Sequence, residues 1–288
     1  MRPRKPWHPA VLLGPSLLLL AVFVVFPVAL AALASLYSWD LLTPPEFVGL
    51  ANYRALAEGG ELLGVALRTL GFSVLVVTGA MTLGLAIALL VHRPGRLFAL
   101  VRGAVFSAYV VSWVAVALLW MGLLDPDAGL VAAVLRALGL GRVGFLGDPD
   151  TVLATLAAVT VWKVTGYAMI LFLAGLEAIP PVLHEAASLD GAGHWNRFRH
   201  VTWPTLGPTT AFVATTSLIL SFQAFDVVRI MTQGGPARAS TLFVYAIYEQ
   251  VFLNLSVGKA SALTVVFFTL LLALATLQLR AWRARGMS

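Results

Sequence analysis

Six stretches of nearly unbroken apolar sequence, at about 11–36, 65–91, 100–124, 152–176, 206–228 and 261–280, decide what this chain can become. Each is near the roughly 20 residues that an α-helix needs to cross a bilayer, where the backbone must satisfy its own hydrogen bonds. Charged residues make up 11% and apolar residues 60% of the 288, against roughly a quarter charged in a soluble domain. A soluble two-layer fold could not bury that much apolar surface, whereas lipid solvates it directly. The expected fold is therefore all-α and membrane-integral, a single domain over 1–288 with six transmembrane helices.

The first run follows Arg2, Arg4 and Lys5 and could pass for a secretory signal. It is longer than the roughly 7 to 15 apolar residues of such a signal, so it reads as a retained first helix. Pro15 and Pro27 inside it are tolerated where neighbours satisfy the freed carbonyls.

The basic residues set the orientation. Arg2, Arg4, Lys5, Arg93, Arg96, Arg102, Arg197, Arg199, Arg280, Arg283 and Arg285 fall on one side, and Arg54, Arg68, Arg136, Arg142, Arg229, Arg238 and Lys259 on the other. The richer side is the cytoplasmic one, which puts both termini there. A net charge of +6 scattered between apolar spans is not a nucleic-acid-binding face. With no Cys, neither disulfides nor thiolate metal sites are available.

The outer segment from Asp40 to Gly64, with Pro44 and Pro45, reads as an ordered turn leading into a short helix. In the segment from Asp125 to Asp150, Gly139-Leu140-Gly141-Arg142-Val143-Gly144 matches G-x-G-x-x-G. Without a βαβ unit around it, that match is a flexible loop and not a dinucleotide site. No phosphate-binding loop occurs in the chain, so no nucleotide-hydrolysing machinery of its own is expected.

The most informative connection is the cytoplasmic one at about 177–205, far longer than a turn between two spans requires. Pro181 suits a helix start. Val182, Ala186 and Leu189 then share a face, and Gly191 and Gly193 supply a left-handed cap. A second short helix follows through Trp195, Phe198 and Val201, with Pro204 and Pro208 expected to stop it before the fifth span. Physics alone leaves two readings open: an amphipathic helix lying on the membrane surface, or a docking element for a partner.

Glu185-Ala186-Ala187, Asp190-Gly191-Ala192, Phe198 and Pro204 together resemble the cytoplasmic "EAA" signature of permeases of binding-protein-dependent ABC importers. Trp162-Lys163, Ala174-Gly175-Leu176, Phe225-Asp226 and Thr232-Gln233-Gly234-Gly235-Pro236 extend the likeness to the carbohydrate and sn-glycerol-3-phosphate branch. The resemblance implies a type I importer transmembrane domain in which 177–205 is the coupling helix seated in an ATPase. Glu185, Ala186, Ala187, Asp190, Gly191, Ala192, Phe198 and Pro204 are its candidate coupling residues. It also implies a second homologous permease, two ATPase subunits carrying ATP and Mg, and an extracytoplasmic solute-binding protein. No cofactor is expected on this chain itself. The extra N-terminal helices of the larger maltose-type subunit are absent.

An ionisable group within a span usually faces protein or water, because lipid exposure costs roughly 2.5 to 3.5 kcal/mol on insertion scales. Lys163 lies near the middle of the fourth run with Trp162 and Tyr167 beside it. Either it lines the solute pathway or it pairs with a neighbouring helix. The fifth run is the least apolar, with several Thr and Ser, Gln223 and Asp226, which suits either a pathway or tight helix packing. Trp162, Lys163, Tyr167, Gln223 and Asp226 are thus the candidate pathway residues. Trp113, Trp120 and Trp162 could stack on sugars or act as interfacial anchors.

Two other classes also build on several apolar helices. A channel or secondary transporter should show inverted repeats or interrupted half-helices. A membrane enzyme needs clustered catalytic groups, and the five His have no metal spacing. A sugar, oligosaccharide or polyol is the expected solute. A glycerol phosphate or phosphodiester is the alternative, with Lys163 and Arg229 as its complement.

Overall fold

The computed structural model describes residues 8–284. Arg2, Arg4, Lys5 and Arg285, used above for orientation, lie outside them, as does the side chain of Arg283. Among the described residues the chain is mainly helical, its strands confined to the two-residue pair Tyr37–Ser38 and Glu46–Phe47. Five helices are long and apolar enough to span: Leu13–Ala34, Glu61–Val91, Val152–Glu177, Gly207–Met231 and Val257–Trp282.

The third apolar run departs from expectation. It is not one straight span at 100–124 but two helices, Arg96–Val110 and Trp113–Leu123, bent by 100° at the break. Val111 and Ser112 are extended there, with ψ of 143° and 140°. Neither is Pro or Gly, so nothing local announces the bend. The donors that permit it come from another helix, as described below.

The other differences are smaller. The first span contains a π-turn, Ala21–Val25, which takes in Phe23, whose carbonyl the Pro27 ring would crowd in a regular helix. The second cytoplasmic helix ends at Thr205, one residue past Pro204, and Pro208 sits in the first turn of Gly207–Phe222, where a missing N–H costs nothing. The expected fifth span is interrupted at 223–225 before Asp226–Met231. A short apolar helix, Phe243–Leu253, also forms in what reads as an outer segment.

The described chain divides into two compact units. One holds 8–63 with 246–270. Its first span has no buried residue, whereas its outer segment is tied by side-chain hydrogen bonds. There the Asn52 amide donates to the Ser35 and Tyr37 carbonyls at 2.8 and 2.9 Å, and the Tyr53 hydroxyl donates to Ser35 Oγ at 2.8 Å. Asp40 closes its turn by accepting from Thr43 and Leu42. The Thr43 amide first, then its hydroxyl, holds that carboxyl below the usual carboxylate range.

The other unit, 64–245 with 271–284, is built on Val152–Glu177, the most buried of the spans. Small residues let its neighbours approach. Gly166 lies against the backbone of Val105 and Phe106 in the Arg96–Val110 helix, where a Cβ would come within 2.9 Å of Phe106 Cα. On its far side Gly207–Phe222 packs on the same helix, with Thr209 and Leu206 beside Gly175.

Candidate functional site

The cytoplasmic connection folds as a short helix, Pro181–Leu189, ended by a left-handed cap. Gly191, at φ of +77°, donates to the Ser188 carbonyl at 3.1 Å, and Ala192 donates to the Ala187 carbonyl at 2.9 Å. These are the two bonds of a Schellman motif, which satisfies carbonyls that would otherwise face nothing. Arg197 ties the second helix back, donating to Ser188 Oγ at 3.1 Å and reaching His194 Nδ1 at 3.0 Å. Phe198 is half-buried between Trp195 and Trp203, its ring centroid 5.6 and 6.3 Å from theirs.

The loop is rigid from within yet apolar outside. Leu189 is 90% exposed, Trp195 68% and Val182 62%. Glu185, Ala186, Asp190 and Pro204 are exposed, and Ala187 and Ala192 half-buried. Glu185 has no hydrogen-bond partner among the described residues, so its carboxylate is not spent on the loop's own backbone.

The five candidate pathway residues do not form one cluster. Gln223 and Asp226 share a cavity of about 230 Å³ with Trp113, Leu220, Phe225 and Val227, at the interruption of the fifth span. Trp162 faces a different, apolar groove of about 520 Å³ beside Leu83, Ala104 and Val161, and meets Trp120 edge-on at 5.6 Å. Tyr167 stacks on Tyr109 at 4.9 Å.

Lys163 lines neither space. It is 2% exposed and bonded to three backbone carbonyls at the break in the third run: Ala108 at 3.2 Å, Tyr109 at 3.0 Å and Val111. A helix C-terminus leaves its last carbonyls without partners and carries a partial negative charge, and a buried ammonium answers both. Its Nζ also lies 4.8 Å from the centre of the Trp113 ring and 5.9 Å from that of Tyr109. Of the two readings open to the sequence, the structure supports pairing to a neighbouring helix. Sequence reasoning missed the break itself, and its one signal was this lysine, a cation in a span with no acid in reach along its own helix.

No group of acids and histidines suited to a metal ion exists among the described residues.

The chain has known relatives in sequence and in fold. The chain is 32% identical over 278 residues, covering 94% of it and 93% of the relative, to the sn-glycerol-3-phosphate transport system permease protein UgpA of Agrobacterium fabrum. It is 30% identical to the sulfoquinovosyl glycerol transport system permease protein SmoG of the same organism, covering 95% and 90% of the two chains. In fold it matches a chain of a bacterial ABC transporter involved in the import of the acidic polysaccharide alginate, with a TM-score of 0.82 at 23% identity over 96% of each chain. The sequence profile of binding-protein-dependent transport system inner membrane components matches residues 80–288. The chain belongs to that family, the multi-pass inner-membrane permease subunits of binding-protein-dependent ABC importers.

Proposed function

We propose that this permease subunit passes a sugar or related polyol through the inner membrane by alternating access, driven by ATP and Mg on separate ATPase subunits that grip residues 177–205. A second homologous permease completes the pathway, and a solute-binding protein delivers the solute from outside. The observation that carries the coupling role is the Pro181–Leu189 helix. Its cap is complete within the chain while Leu189, Val182 and Trp195 stand in the open. Exposed apolar residues on a rigid scaffold are what a partner's groove requires, and only differential contact with two partner states can drive a shift between two permease states.

Orientation tests the reading in a chain without native Cys. In intact cells Ala192→Cys is expected to be shielded from an impermeant thiol reagent, and Ala237→Cys to react. A reversed pattern would remove 177–205 from the ATPase side.

For the solute, Trp113, Gln223 and Asp226 offer a ring, an amide and a carboxylate, a set suited to a neutral polyhydroxylated molecule. The names of the relatives favour a second reading, an anionic glycerol derivative such as sn-glycerol-3-phosphate. Against it, Lys163 has its three hydrogens on backbone carbonyls. Uptake of labelled maltose, xylose and sn-glycerol-3-phosphate into cells carrying the whole transport system is expected to favour a neutral sugar. Uptake of the phosphate alone would establish the second reading.

A further inference from the structure

We propose that Lys163 is a positioning residue for solute passage: from behind the cavity wall it pins both arms of the broken helix and so fixes Trp113 against the solute. The proposal rests on the cavity of Trp113, Gln223 and Asp226 being part of the pathway.

Three observations converge on one nitrogen atom. Lys163 Nζ bonds the Ala108 and Tyr109 carbonyls in the last turn of Arg96–Val110, and the Val111 carbonyl within the break. It lies 4.8 Å from the centre of the Trp113 ring, and Trp113 is the first residue of the next arm. Trp113 in turn lines the cavity with Gln223 and Asp226. The lysine is thus the joint at which a 100° bend is held, and the first side chain beyond the joint is a cavity wall.

Nothing local could do this work. Val111 is not a helix breaker, and Ser112, though a residue type common at helix starts, makes no side-chain cap to the second arm. Within the membrane no bulk water replaces a lost donor, so the break depends on a donor supplied by the neighbouring helix. A lysine with three hydrogens can serve three carbonyls, whereas Gln brings two and Met none. Loss of the ammonium removes the anchor of the bend and the cation held near the Trp113 ring at once. An indole released in this way no longer presents a fixed face to a sugar, although the lysine never touches the solute.

The test uses the assembled complex and the absence of native Cys in this chain. Gln223→Cys is introduced, and its rate of modification by the anionic methanethiosulfonate reagent MTSES is read by the mass shift of this chain. Trp113→Ala opens the wall and is expected to speed modification. Lys163→Gln is expected to speed it on the order of fivefold, the scale of one lost hydrogen bond. Lys163→Arg, which keeps the cation and several donors, is expected to stay close to the parent rate. Combined with Trp113→Ala, Lys163→Gln should add nothing further, because both act through one ring. An unchanged rate in Lys163→Gln, or multiplied effects in the double variant, would overturn the proposal. If Lys163→Gln fails to assemble, Lys163→Arg decides it: modification at the Trp113→Ala rate would overturn it and the parent rate would support it. The pathway reading has its own arm. Equal modification of Gln223→Cys in the resting and vanadate-trapped complex would remove position 223 from an alternating pathway, while the comparison of lysine and tryptophan variants still stands.

Discussion

Gly191→Val is expected to abolish most solute uptake while leaving the spans inserted. The cap of Pro181–Leu189 needs a residue at φ of +77°, where a β-branched side chain carries roughly 1 to 3 kcal/mol of strain. Nothing lies within 4 Å of where the new Cβ would sit, so the chain itself does not clash and the damage is to the turn. About 2 kcal/mol corresponds to a shift of up to roughly thirtyfold in the population of the capped loop. The bond from Ala192 to the Ala187 carbonyl would go with it, and Leu189 and Trp195 would lose their common placement. The measurement is recovery of the ATPase through a tag on this subunit, together with uptake and ATP hydrolysis in the reconstituted complex. Reduced recovery, or hydrolysis unlinked from uptake, is the expected result, and normal recovery with normal uptake would end the coupling reading. Glu185→Lys should act in the same direction and more weakly, since that carboxylate has no partner within the described chain to lose.

The second large effect lies in the membrane. Gly166→Leu is expected to remove nearly all folded complex, a failure of assembly with no altered affinity in what remains. At Gly166 the backbones of two helices nearly touch, and even a methyl group would meet Val105 and Phe106 main-chain atoms that cannot turn aside. Overpacking of this kind costs roughly 1 to 3 kcal/mol, and more when backbone is the obstacle. The same contact holds the Arg96–Val110 helix within one turn of the carbonyls that Lys163 binds, so the bend should be lost as well. The amount of complex extracted in mild detergent and run on a sizing column reads the outcome. Wild-type yield would show that the two helices are held chiefly by other contacts.

Much of this fold was open to reading because lipid imposes one rule on every span. Apolar length alone located the first, second, fourth and sixth runs, and the Gly191 cap followed from where the pattern of Val182, Ala186 and Leu189 ceased. What stayed hidden had no periodic mark. The break at Val111 and Ser112 is marked in sequence by no more than a single serine and is held by donors from a distant lysine. A cation at mid-span left Lys163 either in the pathway or paired to a neighbouring helix, and sequence could not decide, because adjacent residues on a helix point about 100° apart: Trp162 turns to an apolar groove and Lys163 to a buried helix end.

The first span carries a different consequence. Its 22 residues from Leu13 to Ala34 are apolar throughout and none is buried in the chain. At 1.5 Å per residue it is about 33 Å long, slightly more than a typical hydrocarbon core. Where such a helix faces lipid, it can absorb a thinner membrane by leaning. The Val152–Glu177 helix, locked on several faces, has no such latitude. Lipid composition should therefore act on this subunit unevenly, altering the slope of its first helix well before it disturbs the bend, the cavity or the buried lysine.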